Sequence, residues 1–233
     1  AWLASGNILM WLSVVDPGVS NIILQKVGFY FGASEKSKAG SVIWSGALIM
    51  LAISLFIFAS GFFLSGFVPD LINFESSLEP ILVTAFILGT LATACMFFSF
   101  SLGVSILGMQ SAIQHGIVSV SANLLALLVS VVLLLNGGGL YSIPAGLLTR
   151  AFVRLAGLSF FTQLRMRQEE IPLRPNFSAL KEIASLLSYT SLGKLGGLLS
   201  KNMDAFLIAR FLGPEKVPVY VLTRRGMEVA ITL

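Results

Sequence analysis

Asp16, Arg150, Arg154, Lys194, Lys201 and Asp204 are ionisable side chains standing inside otherwise apolar stretches of the sequence. Facing lipid, each would cost about 2.5 kcal/mol near the bilayer centre. They are therefore expected to line water or to meet partners. Arg150 and Arg154 are four residues apart, which places both guanidinium groups on one helix face with Gly146 and Gly157. Lys194, Gly197, Lys201 and Asp204 form a second stripe, and His115, Ser119, Asn123 and Ser130 a third, uncharged one. Arginine grips phosphate oxygens with two parallel N–H donors, and lysine adds a point charge. Two basic stripes beside a hydrogen-bonding one would suit a diphosphate. Arg150, Arg154, Lys194, Lys201 and Asn123 are the candidate substrate-binding residues, with Asp16 and Asp204 as candidates for coupling or gating.

Plainer roles stand beside these. Arg150 and Arg154 could pair with a carboxylate elsewhere in the protein or reach along the helix to the interface. Lys201 lies nearer a span end, where snorkelling is easy, and Asp204 could be its helix partner. Asp16-Pro17 could belong to a broken helix or be a structural cap. His115 could sit at the interface or relay protons. Gly193 and Gly197 read as a helix-packing pair.

The elements that must position these residues follow from composition. Hydrophobic residues make up 56% of the 233 and charged ones 11%, with a mean hydropathy of +0.90, so water is not the main solvent. From Pro80 to Thr149 there are 70 consecutive residues without Asp, Glu, Lys or Arg. A crossing takes roughly 20 apolar residues, so that run holds about three. The runs are continuous rather than alternating, which favours helices over a barrel. The single cysteine, Cys95, and single histidine, His115, exclude an internal disulfide framework and argue against a Cys- or His-rich metal site. No cofactor, metal or catalytic constellation is expected. The net charge of +4 is spread along the chain with no basic tract, which argues against nucleic acid as a partner.

Punctuation sets the spans. A first, about 2–31, is interrupted at Asp16-Pro17-Gly18, where a bend or break is expected. A second runs over about 39–67 and a third over about 80–101, with a loose turn expected at Gly103 to Gly108. The fourth, about 113–135, ends at the tight turn Asn136-Gly137-Gly138-Gly139, and the fifth covers about 140–163. The charged stretch from Arg165 to Pro175 is the best boundary. An amphipathic start at Ser178 to Ser185 leads to a sixth span over about 186–212 and a final helix after Gly213-Pro214. Ala1 opens without Met in an apolar stretch and Leu233 closes in another, which reads as a fragment.

Two blocks carry a resemblance. Val15-Asp16-Pro17-Gly18-Val19-Ser20-Asn21, followed by Gln25-Lys26-Val27 and Tyr30-Phe31-Gly32, resembles the end of the second helix of polysaccharide-export (Wzx-type) flippases. Asn202-Met203-Asp204 through Leu212-Gly213-Pro214-Glu215-Lys216 to Tyr220 is similar to the stretch opening their second helical bundle, although Pro218 stands where that family more often has Gly. The resemblance implies the multidrug/oligosaccharidyl-lipid/polysaccharide superfamily: an all-α, polytopic transmembrane bundle of two six-helix halves around a cavity. On that mapping 1–164 holds helices two to six of the N-terminal bundle, 165–177 a cytoplasmic connector, and 178–233 the first helices of a truncated C-terminal bundle.

The implied function is flipping of lipid-diphosphate-linked oligosaccharide by alternating access, in a multi-pass protein of the inner (plasma) membrane. Membrane lipids and polysaccharide polymerase or assembly proteins are the other implied partners. A multidrug/cation exporter of the same superfamily would need buried carboxylates, whereas the charge here is mostly basic. An integral-membrane glycosyl- or acyltransferase would show acidic or histidine clusters at a membrane face, so the chain is expected not to be an enzyme. A non-catalytic membrane scaffold would leave the buried charges without purpose.

Lys and Arg counts orient the chain. Lys26, Lys36, Lys38, Arg165, Arg167, Arg174 and Lys181 fall on one side, against Arg210 and Lys216 on the other. In a Cys95→Ala background, cysteines at 36–38 or 165–174 are expected to react with impermeant thiol reagents only from the cytoplasm, and one at 75 only from outside. Labelling of position 75 from the cytoplasm alone would overturn this topology.

Overall fold

Among the described residues the long apolar runs are realised as helix, because backbone N–H and C=O groups in lipid can be satisfied only within the segment or a closed barrel. The computed structural model describes residues 18–68 and 79–186, together with Tyr220 and Thr223. The elements are α1 (Val19–Gly32), α2 (Lys36–Ser65), α3 (Glu79–Gly108), α4 (Ala112–Leu135) and, after a 3₁₀ turn at Gly139–Tyr141, α5 (Ser142–Gln168). A further helix, α6, covers 177–186. Among the described residues there is no strand. The chain divides into two compact units, Ala1–Ser188 and Tyr189–Leu233. Of the second, Tyr220 and Thr223 are described and both are helical.

Four helices, α2 to α5, are long and apolar enough to cross a membrane. At 30 residues each, α2 and α3 reach about 45 Å, well beyond a hydrocarbon layer of about 30 Å. The Asp16-Pro17-Gly18 break falls largely outside the described residues. Its last member, Gly18, has φ 101° and directly precedes α1, whose first bond runs from the Ile22 N–H to the Gly18 carbonyl.

The central helix is α3, which packs on α1, α2 and α5. Its buried face is made mostly of small residues, among them Ala85, Gly89, Thr90, Ala94, Ser101 and Ser105. Their hydroxyls turn back onto the helix: Thr90 donates to the Phe86 carbonyl at 2.9 Å and Ser105 to the Ser101 carbonyl. A polar side chain satisfied by its own helix can be buried against a neighbour without needing a partner there. Helix α4, by contrast, packs chiefly on α5 and buries only Val118 and Ala122. Its remaining faces, with Leu124, Leu127, Leu128 and Leu135 exposed, are suited to lipid.

The loose turn expected at Gly103 to Gly108 does not exist, because α3 continues as helix through both glycines. They serve close packing instead. A Cβ on Gly108 would lie 2.8 Å from Val27 Cβ of α1, and one on Gly103 would lie 3.2 Å from His115 Nε2 of α4. The real turn is Met109 to Ser111, where Gln110 takes φ 58°.

That conformation recurs. Ser34 (φ 60°), Gln110 (φ 58°), Gly137 (φ 80°) and Glu170 (φ 53°) each stand left-handed just after a helix. In each case the next N–H returns to a carbonyl five residues back: Glu35 to Tyr30, Ser111 to Ile106, Gly138 to Leu133 and Ile171 to Met166. This arrangement satisfies the orphan carbonyls of a helix end and reverses the chain sharply. Only one of the four is glycine, so at the other three a strain of about 1–2 kcal/mol is tolerated for a tight turn.

The stretch assigned to the connector lies against the first unit. Ile171 and Ile183 are buried in its apolar cluster with Val27, Val42 and Ile43. Asn176 caps α6, its Oδ1 accepting from the Ser178 N–H at 2.9 Å. Burial of each isoleucine contributes roughly 1.5–3 kcal/mol where the alternative is water.

One glycine on α5 and one on α4 separate packing from propensity. A Cβ on Gly146 would meet the Ala126 carbonyl at 2.7 Å, whereas one on Gly116 would meet nothing within 4 Å. Gly146→Ala is expected to lower thermal stability in detergent by about 1–3 kcal/mol. Gly116→Ala is expected to leave it unchanged or raise it by about 0.5–1 kcal/mol. Equal effects of the two would contradict the α4–α5 contact.

Candidate functional site

The site is built on α5. Gly146 and Gly157 bring α4 close, the first against Ala126 and Ser130, the second against Val118. On the same face, between these two glycines, stand Arg150 and Arg154. Arg154 lies twelve residues after Ser142, about 18 Å along the helix and hence deep in a 30 Å layer. Its side chain is wedged toward α3, with Cζ 5.8 Å from the centre of the Phe100 ring, and the residue is only 8% exposed. Arg150, one turn nearer the start of α5, is half-buried.

Among the described residues no acid answers these charges. Between Glu79 and Glu169 the sequence contains no Asp or Glu. The described acids, Glu35, Glu79, Glu169, Glu170 and Glu182, all stand at or beyond helix ends or on the short α6. Among the described residues the ion pairs are Lys26–Glu182, Lys38–Glu35 and Arg165–Glu169, and neither Arg150 nor Arg154 takes part in one. The Nε of each is buried without a hydrogen-bond acceptor, as are Ser119 Oγ and Ser142 Oγ. An unmet buried donor costs about 1–3 kcal/mol, and more when charged. Phe100 offsets part of this through its ring face. The two guanidinium groups also repel each other, and Arg154 acts electrostatically on His115.

Of the uncharged stripe on α4, Ser119 and Ser130 lie partly buried. Asn123 is exposed and stands one step around the helix from Ala122, which is buried. His115 sits beside Gly103 and Leu158, close to the packed junction of α3, α4 and α5. Asp16, Lys194, Lys201 and Asp204 lie outside the described residues. Nothing in the sequence distinguishes Phe100 from the other phenylalanines among 18. Its role comes from α3 and α5 lying side by side, a contact also marked by Thr162 Oγ1 donating to the Leu102 carbonyl.

Chemically, the described residues offer two guanidinium groups, each with an unused buried Nε donor, on one face of α5. They would take an anion with several oxygens. A cation held this way is retained against stability. Replacing Arg154 by Met, similar in length and apolar, is expected to raise the thermal stability of the purified protein by about 1 kcal/mol. A drop of similar size would instead reveal an acidic partner left unpaired.

No curated protein and no solved structure matches the chain. A family model described as "Polysaccharide biosynthesis protein" matches residues 8–233, nearly its whole length. With four helices able to cross a membrane, the chain is a multi-pass membrane protein that belongs to the polysaccharide biosynthesis protein family.

Proposed function

We propose that the protein flips lipid-diphosphate-linked oligosaccharide across the inner (plasma) membrane by alternating access. The observation that carries this reading is the acid-free arginine pair: Arg150 and Arg154 sit inside α5, and no Asp or Glu occurs between Glu79 and Glu169. Membership of the polysaccharide biosynthesis family supplies the glycan, and the diphosphate linking glycan to lipid supplies the anion. Half-buried Arg150 meets it first, and Arg154 completes the grip when α4 and α5 shift relative to α3. The protein then moves a glycan without making or breaking bonds in it. Lys194 and Lys201 add a second basic stripe from the later helices, Asn123 hydrogen-bonds the sugar end, and Asp16 and Asp204 gate or couple the movement. In this reading 1–164 and 178–233 belong to the two bundles, joined by 165–177, with polymerase or assembly proteins taking the flipped product. A cation exporter would need the opposite charge in the same place.

Arg154→Lys keeps the charge and loses the two-pronged contact, so surface polysaccharide is expected to fall severalfold, and further with Arg154→Ala. Membrane abundance is expected to remain near normal in both. Normal polysaccharide at normal abundance in the combined Arg150→Ala, Arg154→Ala variant would end the reading.

A further inference from the structure

We infer that residues 170–186 form a detachable strap at the Lys-rich end of the bundle, held by an ionic latch between Lys26 and Glu182. Lys26 Nζ donates to Glu182 Oε1 at 2.5 Å, joining α1 to α6 across 156 residues of sequence. Further along, Ser45 Oγ of α2 donates to the Asn176 carbonyl at 3.3 Å. The backbone of Pro172 lies directly on Gly40 of α2, where there is room for it only because Gly40 lacks a side chain. Ile171, Ala179 and Ile183 point their apolar groups into the same seat. The strap is thus anchored on α1 and the first turns of α2, at the end of the bundle that the Lys and Arg distribution would place in the cytoplasm.

The fastening is built to open. Glu182 is 52% exposed, so the latch is a weak, salt-screened pair rather than a buried one. The apolar seat is small, and the outer face of α6, with Phe177, Lys181 and Leu186, is exposed. Where α5 gives way to the strap there is an open surface hollow of about 410 Å³, lined by Met166, Arg167, Ile171 and Pro172 among others. Contacts this sparse place the segment at the low end of local stability, where the moving parts of proteins are found. Because α6 leads in sequence into the second unit, its release frees the cytoplasmic ends of α1 and α2 from that part of the chain. Docked, the strap ties them together. This consequence for transport rests on the flippase reading; the docking itself does not.

Amide hydrogen exchange on the whole protein in nanodiscs tests the strap without any substrate. Lys26→Glu and Glu182→Lys singly are expected to speed exchange in 170–186 roughly two- to fivefold, as expected for losing an exposed pair, with peptides from α3 to α5 unchanged. The double reversal is expected to restore the slow rate. Gly40→Ala, which favours the α2 helix but pushes against Pro172, is expected to release the strap without touching the latch. Unchanged exchange in all of these variants would overturn the strap, and so would a rise throughout the bundle, which would make the segment part of the core. Bridging Lys26→Cys to Glu182→Cys with a short thiol cross-linker, in a Cys95→Ala background, is then expected to stop polysaccharide export at normal abundance. Continued export with the bridge complete would remove the strap from the transport cycle while leaving the arginine site to its own test.

Discussion

Close approach of helix backbones through small residues is the constraint on which this bundle rests. Lipid tails solvate leucine as well as a neighbouring helix does, so apolar side chains alone do not drive transmembrane helices together. What draws α3 into contact with α1, α2 and α5 is a face of Gly, Ala, Ser and Thr that lets van der Waals surfaces meet along their length. The pairings are specific: Gly46 receives Ile23, Gly61 receives Thr90, and Gly108 lies on Val27 and Gly28. Hydroxyls that would otherwise be costly in such a face are spent within their own helix, as at Ser54, Thr90 and Ser105.

That packing gives the arginines their meaning. A guanidinium on an isolated helix would snorkel or draw water into the bilayer. Held between Phe100 on one side and the close α4–α5 contact on the other, Arg154 is 8% exposed and cannot follow that route. A guanidinium buried with an unused Nε donor costs stability, which an anion bound there would offset. Stability sacrificed at a position with unused donors is the usual mark of a functional group rather than a structural one.

The turns work toward the same end. Helices that cross a membrane and pack on one another need short, sharp reversals, and three of the four left-handed residues that follow helix ends here are not glycine. At the end of α5, Glu170 in this conformation turns the chain back toward α1 and α2, where Ile171 enters the common apolar cluster. The connector's docking thus follows from the geometry of a helix end and from the absence of a side chain at Gly40.

By itself the sequence determined the solvent and the element type. Long uncharged runs leave only helices in lipid, Asn136-Gly137-Gly138-Gly139 announces its turn by composition, and the seven Lys and Arg of one side do gather at one end of the described bundle. The arginine pair was likewise readable, since a spacing of four fixes a shared face whatever surrounds it. Tertiary structure decided what those faces meet. Gly103 and Gly108 carry the same letters whether they break a helix or admit a neighbour, and only the proximity of His115 and Val27 selects the second. Asn123 shares the spacing of Ser119, yet its exposure depends on where α5 lies. Phe100 against Arg154, and Glu182 against Lys26, join residues far apart in sequence. Periodicity is a property of one helix, and such contacts belong to the way helices are stacked.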